Sequence, residues 1–243
     1  MTTLLAIETS TEACSVAVWR DGEVLERFEI APRQHATLLL PWCEDMLAEA
    51  GVAKSQLDAI AVGRGPGAFT GVRLAIAAAQ GMALGLDRPL LPVSTLAALA
   101  LGPSLEHPLV EGQKIMAAID ARMGEVYAAC YESRGSDELH ALGDEALAAP
   151  DALALAAGEG WIGVGTGFAA SQGELRQRMG SQLIECSEAA LPRAVAVARL
   201  GARDFAAGLA VAPERVEPAY LRNKVALTLV EQQAARAARN LAG

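Results

Sequence analysis

The densest local pattern in the chain is a glycine-rich turn, Gly63-Arg64-Gly65-Pro66-Gly67-Ala68-Phe69-Thr70-Gly71. It follows an apolar run, Asp58 to Val62, and leads into helix-forming text from Thr70 to Leu84. Glycines placed there permit positive φ and close backbone approach, and the free N–H groups at a helix start can hold an anion. No Gly-Lys-Ser/Thr follows, so the turn is not a Walker loop. Gly63-x-Gly65-x-x-Ala68, with Asp87 beyond it, fits the outline of a dinucleotide fingerprint. Tight strand-to-helix packing explains the same glycines without a ligand, and Pro66 stiffens the turn. His35, His107 and His140 have no cysteine or carboxylate at metal-ligand spacing. His35, at a helix start, is expected on the surface or in a hydrogen bond. Asp120, before Gly124, is expected to cap a turn rather than to catalyse. Gly163-x-Gly165-x-Gly167 is a weak phosphate signal. The chain has no H-E-x-x-H and no G-x-S-x-G, and it offers no clear catalytic triad. Arg222, Lys224, Arg236 and Arg239 form a modest basic group, either a solvated helix face or a nucleic-acid contact.

The elements that must position these residues follow from composition and periodicity. The 243 residues are 52% hydrophobic and only 4% aromatic. Disorder is excluded, and the core must be built from Ala, Leu and Val with close backbone approach. The net charge of −9 repels phosphate at long range, so a nucleic-acid role needs a partner that supplies positive surface. The longest apolar stretch, Leu74 to Leu86, is interrupted by Gln80, and no membrane span is expected. The N-terminus shows no basic leader. Cys14, Cys43, Cys130 and Cys186 form no C-x-x-C pair, which fits free thiols in a reducing cytoplasm.

Strands are predicted over Leu4–Ile7, Cys14–Trp19 and Val24–Ile30, with Asp21-Gly22 as a hairpin turn. A helix is predicted over Gln34–Ala50, with Leu39, Trp42, Cys43, Met46, Leu47 and Ala50 at spacings of three and four. Leu90–Val93 is a strand, and Ser94 caps a helix over Leu96–Leu101. After a linker at Gly102–Ser104 the strand signals restart at Lys114–Ile119 and Glu125–Tyr131. Pro150–Gly158 reads as a helix and Trp161–Val164 as a strand. Arg193–Leu209 and Val225–Leu241 read as further helices. The alternation gives two α/β lobes, residues 1–104 and 105–243. Internal repetition is not visible.

The second helix is apolar nearly all round, and the first has a face wider than one stripe. One face of each can cover a sheet. The surplus on two adjacent helices predicts a patch that a second protein covers.

Several stretches together resemble the TsaB (YeaZ) family. They are Leu5-Ala6-Ile7-Glu8-Thr9-Ser10, Arg33-x-His35 with Leu39-Leu40-Pro41, Gly65 to Arg73, Ile119-Asp120-Ala121-Arg122 with Gly124-Glu125-Val126-Tyr127, and Pro218-x-Tyr220-Leu221-Arg222. The resemblance implies a two-lobed actin/Hsp70/sugar-kinase-like fold. It implies a non-catalytic subunit without cofactor, needed for threonylcarbamoyladenosine in tRNA. The expected partners are the catalytic relative TsaD and the ATPase TsaE, with a homodimer when alone and tRNA reached through the complex. The partner surface would lie on the first two helices, at His35, Leu39, Trp42, Cys43 and Met46, and at Thr70, Arg73, Leu74, Ala75, Ala78, Ala79 and Met82. Thr95 and Leu99 stand where TsaD carries two metal-binding histidines, and neither replaces imidazole. Ala68, Gln80 and Met123 stand where the family pattern has Ser, Lys and Arg. A metal-dependent hydrolase or peptidase, and a nucleotide-binding module using the cleft between lobes, are the alternatives.

Overall fold

A computed structural model describes residues 2–105, 107–135, 138–155 and 157–222. The first sheet begins as an antiparallel meander, β1 (Thr3–Glu8), β2 (Ala13–Arg20) and β3 (Glu23–Ile30). The turn between β2 and β3 is Asp21-Gly22, both at positive φ. Helix α1 (His35–Glu49) then crosses over to β4 (Ala59–Gly63), parallel to β1, and α2 (Phe69–Leu86) crosses to β5 (Leu90–Val93). The order is β3-β2-β1-β4-β5. Helix α3 (Thr95–Leu101) follows, and the Ser94 hydroxyl accepts from the Ala97 N–H at 3.2 Å.

The second sheet repeats this plan. β6 (Lys114–Arg122), β7 (Glu125–Ser133) and β8 (Leu139–Ala141) are antiparallel, and β9 (Ala146–Ala148) also pairs with β7. β10 (Trp161–Val164) is parallel to β6. Helix α4 (Ala170–Met179) then leads to β11 (Leu183–Ser187), parallel to β10. The order β8-β7-β6-β10-β11 matches the first sheet strand for strand. Sequence repetition is invisible because only the pairing pattern recurs. The counterpart of α1 is missing: residues 150–155 and 157–158, within the segment Pro150–Gly158 expected to be helical, form turns and irregular chain. Pro150, Gly158 and Gly160 explain this, the two glycines at positive φ.

Helices α3 and α5 (Ala194–Ala206) pack together between the sheets, α5 on the first and α3 on the second. The chain after β11 returns to the first lobe, where Val211 bridges Leu90 and Val216 is buried beside α2. The helix expected over Val225–Leu241 lies outside the described residues.

The two faces of the first sheet differ in side-chain size. Leu5, Ile7, Ile60 and Val62 face α1 and α2, while Ala6, Ala17, Ala59 and Ala61 face α5, flanked by Leu4, Leu91 and Val93. Small residues let α5 lie close. A Cβ on Gly201 would sit 2.7 Å from the Ala61 Cβ, so a side chain there would collide with the sheet. α2 is 18 residues long and apolar enough to cross a membrane by length and composition. Here Val72, Ala75, Ile76, Ala79 and Ala83 pack on the sheet, so α2 is a layer of the lobe. Its outer positions, among them Ala77, Gly81, Leu84 and Gly85, are exposed, so the apolar surplus of this helix is not covered within the described fold.

Glycines on opposite faces of α2 serve opposite ends. A Cβ on Gly71 would lie 2.0 Å from the Thr9 carbonyl oxygen, while one on Gly81 would meet nothing within 4 Å. Gly71→Ala should lower stability by about 2–4 kcal/mol, since backbone must move. Gly81→Ala should raise it by up to about 1 kcal/mol. Urea denaturation of the two variants measures both.

Candidate partner interface and the inter-lobe cleft

The polar bend after β1 and the glycine-rich turn after β4 meet backbone to backbone. Positions for a Cβ on Gly63, Gly67 and Gly71 fall 2.0 Å from Glu8 Oε2, 2.5 Å from the Ser10 carbonyl oxygen and 2.0 Å from that of Thr9. The Ala68 N–H donates to the Ser10 carbonyl at 2.7 Å, and the Thr9 hydroxyl donates to the Gly71 carbonyl at 2.8 Å. The glycines are thus occupied by this seam, which favours packing over the dinucleotide fingerprint. Glu8 is buried beneath it. Its carboxylate accepts from the Ser10 N–H at 2.7 Å and from the Thr95 hydroxyl at 3.0 Å, and Thr95 Oγ1 accepts from the Gly65 N–H at 3.2 Å. Burial raises the Glu8 pKa above the ordinary carboxylate value, against the lowering effect of its hydrogen bonds to Ser10, Thr95 and Thr9.

A cleft of about 1360 Å³ opens above the seam, between the Ser10–Glu12 bend, the start of α2 and the Ile119–Met123 turn. The segment from Pro213 to Arg222 straps it. Gln80 Nε2 donates to the carbonyls of Pro213 at 2.9 Å and Val216 at 3.2 Å, and the Ala219 N–H donates to the Arg64 carbonyl at 2.8 Å. Arg222 reaches the second lobe, donating to the Ala121 carbonyl at 3.0 Å and pairing with Glu125 at 2.8 Å. A second tie joins the lobes where Arg64 grips both oxygens of Glu145 at 3.2 Å. Asp120 caps the turn as expected, accepting from the Arg122 N–H at 2.7 Å. Gly165 and Gly167 press against Ala118, so the Gly163–Gly167 run serves packing.

The structure divides the expected partner residues. Leu39, Trp42, Cys43, Met46, Ala75 and Ala79 are buried against the sheet of their own lobe. They pack in the core of that lobe, because the regular apolar stripe of an amphipathic helix is the one that covers its own sheet. His35 is half-buried, with Nε2 3.1 Å from the Ala13 carbonyl oxygen. Thr70 and Arg73 are exposed and line the cleft, as does the half-buried Leu74. Ala78 and Met82 are half-buried. The outward faces expose the apolar Leu40, Pro41, Ala77, Gly81, Leu84 and Gly85, alongside Glu44, Asp45 and Glu49 of α1. Between the helices lies an apolar groove of about 300 Å³, lined by Leu40, Leu47, Leu57, Met82 and Leu86 and edged by Glu44 and Lys54. Gly81 and Gly85, both within a helix and neither at a turn, were the available and overlooked signal for this face.

Thr95 and Leu99 are fully buried, Thr95 in the Glu8 network and Leu99 against the Gly165 backbone. Among the described residues no group of three His, Cys, Asp or Glu could hold a metal ion. Burial pushes the Cys14 thiol up to about 11 and the Cys43 thiol up to about 12, leaving both poor nucleophiles at neutral pH.

Two lobes of one strand plan, enclosing a helix pair and divided by a cleft, define the two-lobed actin/Hsp70/sugar-kinase-like class. Residues 28–229 match the family described as TsaD, tRNA N6-adenosine threonylcarbamoyltransferase. The chain is 43% identical over 227 residues to the tRNA threonylcarbamoyladenosine biosynthesis protein TsaB of Escherichia coli (strain K12), covering 92% of this chain and 96% of that protein. It is 38% identical over 232 residues to the protein of the same name from Haemophilus influenzae, covering 92% and 94%. The solved structure titled YeaZ from Pseudomonas aeruginosa superposes with a TM-score of 0.82 at 45% identity, covering 91% of this chain and 100% of that one. The chain belongs to the TsaB family of tRNA threonylcarbamoyladenosine biosynthesis proteins, within the wider TsaD family.

The buried Glu8 makes stability depend on pH. Its folded pKa lies above its unfolded one, so the folded state binds the proton more tightly. Stability then falls as pH rises from the unfolded to the folded value. Glu8→Gln should match or exceed the parent at neutral pH, and the difference should vanish as pH drops below about 4. Denaturation midpoints from pH ~4 to ~8 check this.

Proposed function

We propose that this chain is the non-catalytic scaffold subunit of the complex that places a threonylcarbamoyl group on N6 of the adenosine next to the tRNA anticodon. It supports TsaD, the catalytic subunit, and helps the ATPase TsaE to dock. It holds TsaD through the outward faces of α1 and α2. Alone, it forms a homodimer through the same face, so the two assemblies exclude each other. Its buried free thiols suit the cytoplasm, where such a complex works.

One observation carries the choice of face. Ala77, Gly81 and Gly85 follow one another at i, i+4 spacing along the exposed side of α2. A Cβ at either glycine would meet nothing within 4 Å, so nothing in the described fold requires them. Each glycine costs an exposed helix about 1 kcal/mol relative to alanine. A second helix backbone approaching closely gives both a purpose, as small residues do wherever helices cross at short range. The groove beside Met82 offers that helix a place to seat one apolar side chain.

A charge belongs at Gly81 rather than at Ala75 or Ala79, which are core. Gly81→Glu should keep the thermal midpoint within a few degrees of the parent. It should abolish both co-elution with TsaD and self-association in size-exclusion chromatography. Retained co-elution at equal affinity would remove α2 from the interface.

A further inference from the structure

We propose that the mouth of the cleft is a direct RNA-contact surface, taking phosphodiesters on arginines and unstacked bases on exposed rings. The chain carries a net charge of −9, yet four arginines line this cleft, Arg33, Arg73, Arg122 and Arg222, against two acids, Glu12 and Asp120. Arg222 is held by Glu125 at 2.8 Å with its side chain only 18% exposed, which leaves Arg33, Arg73 and Arg122 facing the opening. The four arginines come from separate places: the approach to α1, the first turn of α2, the β6–β7 turn and the strap. Among the described residues, Arg33 and Arg73 belong to no ion pair. Arg122 pairs with Asp120 at 2.9 Å but its side chain is 83% exposed. An ion pair that open is worth little and is readily exchanged for another anion.

The aromatic part is ordered. The Arg73 guanidinium lies 3.5 Å from the Phe69 ring centroid and 5.4 Å from that of Tyr220, and donates to the Tyr220 hydroxyl at 2.9 and 2.6 Å. Both rings remain more than half exposed. Arg122 and Met123 project from a turn held at φ 62° and 59°, a left-handed conformation costly for side chains of that size.

Exposed rings interleaved with guanidinium groups are the combination that binds single-stranded RNA. The cations release counterions from phosphates, and each base has a face to stack. A small metabolite fits less well, because sites for small ligands enclose them, whereas Arg33, Arg73 and Arg122 stand at a solvated rim. The inference rests on the proposed tRNA role only for its choice of probe.

The test uses the full chain by itself, so it is independent of whether TsaD binds α2. Labelled, unmodified anticodon stem-loop RNA is titrated by fluorescence anisotropy between about 50 and 200 mM salt. Binding should weaken with salt. The double variant Arg33→Glu, Arg122→Glu should lose at least about tenfold in affinity, with a salt slope shallower by about 1.4–1.8 for two lost phosphate contacts. Tyr220→Ala should weaken binding with the slope unchanged. Circular dichroism confirms folding, with the Arg→Gln pair as a milder second variant. Absence of binding, an unchanged slope in the charge variants, or equal binding of an acidic peptide of matched charge would overturn the assignment.

Discussion

The seam between the Glu8–Ser10 bend and the Gly63–Gly71 turn sets the geometry of everything around it. Backbone lies on backbone there, with no space for a Cβ at three positions. The seam fixes where α2 begins, and so which of its faces looks inward. It closes the floor of the cleft and buries Glu8, whose hydrogen bonds through Thr95 tie the turn to the start of α3. A carboxyl group is an expensive tie in so apolar a place. It is tolerated because its partners are positioned by three different strand ends.

From that seam the lobe grows as layers whose thickness follows side-chain size. Large residues face α1 and α2, while Ala6, Ala17, Ala59 and Ala61 lie toward α5 with Leu4, Leu91 and Val93 beside them. The economy in aromatic residues has a geometric result: helices lie close to sheets, and small residues suffice to fill the gap. On the outside of α2 the same small residues have nothing to fill. A feature that serves packing on one side of a helix becomes an unoccupied face on the other.

Much of this was legible in the sequence. The meander, both crossover helices and the Ser94 cap follow from alternation, helical spacing and turn chemistry. The glycine turn announced a tight approach, though only coordinates show that Thr9 and Ser10 are what it approaches. The orientation of the helices was harder. Leu39, Trp42, Cys43 and Met46 stand out because they form a regular stripe, and that regularity marks the side facing their own sheet. The exposed side is marked instead by residues that violate helix propensity, Gly81, Gly85 and Pro41. The segment Pro150–Gly158 reads as helix because an alanine-rich composition favours one, while Pro150 and the later glycines oppose it and give turns. The strap could not be foreseen, since Arg222 meets Glu125 only after a hundred intervening residues have folded.

The exchange of helices between the lobes bears on how the protein comes into being. α3 is made with the first sheet but rests on the second, and α5 is made after the second but rests on the first. A ribosome that has released residues up to Leu101 has therefore exposed a sheet with one side bare. That side stays wet until about a hundred more residues emerge. The amino-terminal half, first to be translated, is the last to be completed, and a chaperone has the whole of that interval in which to hold it.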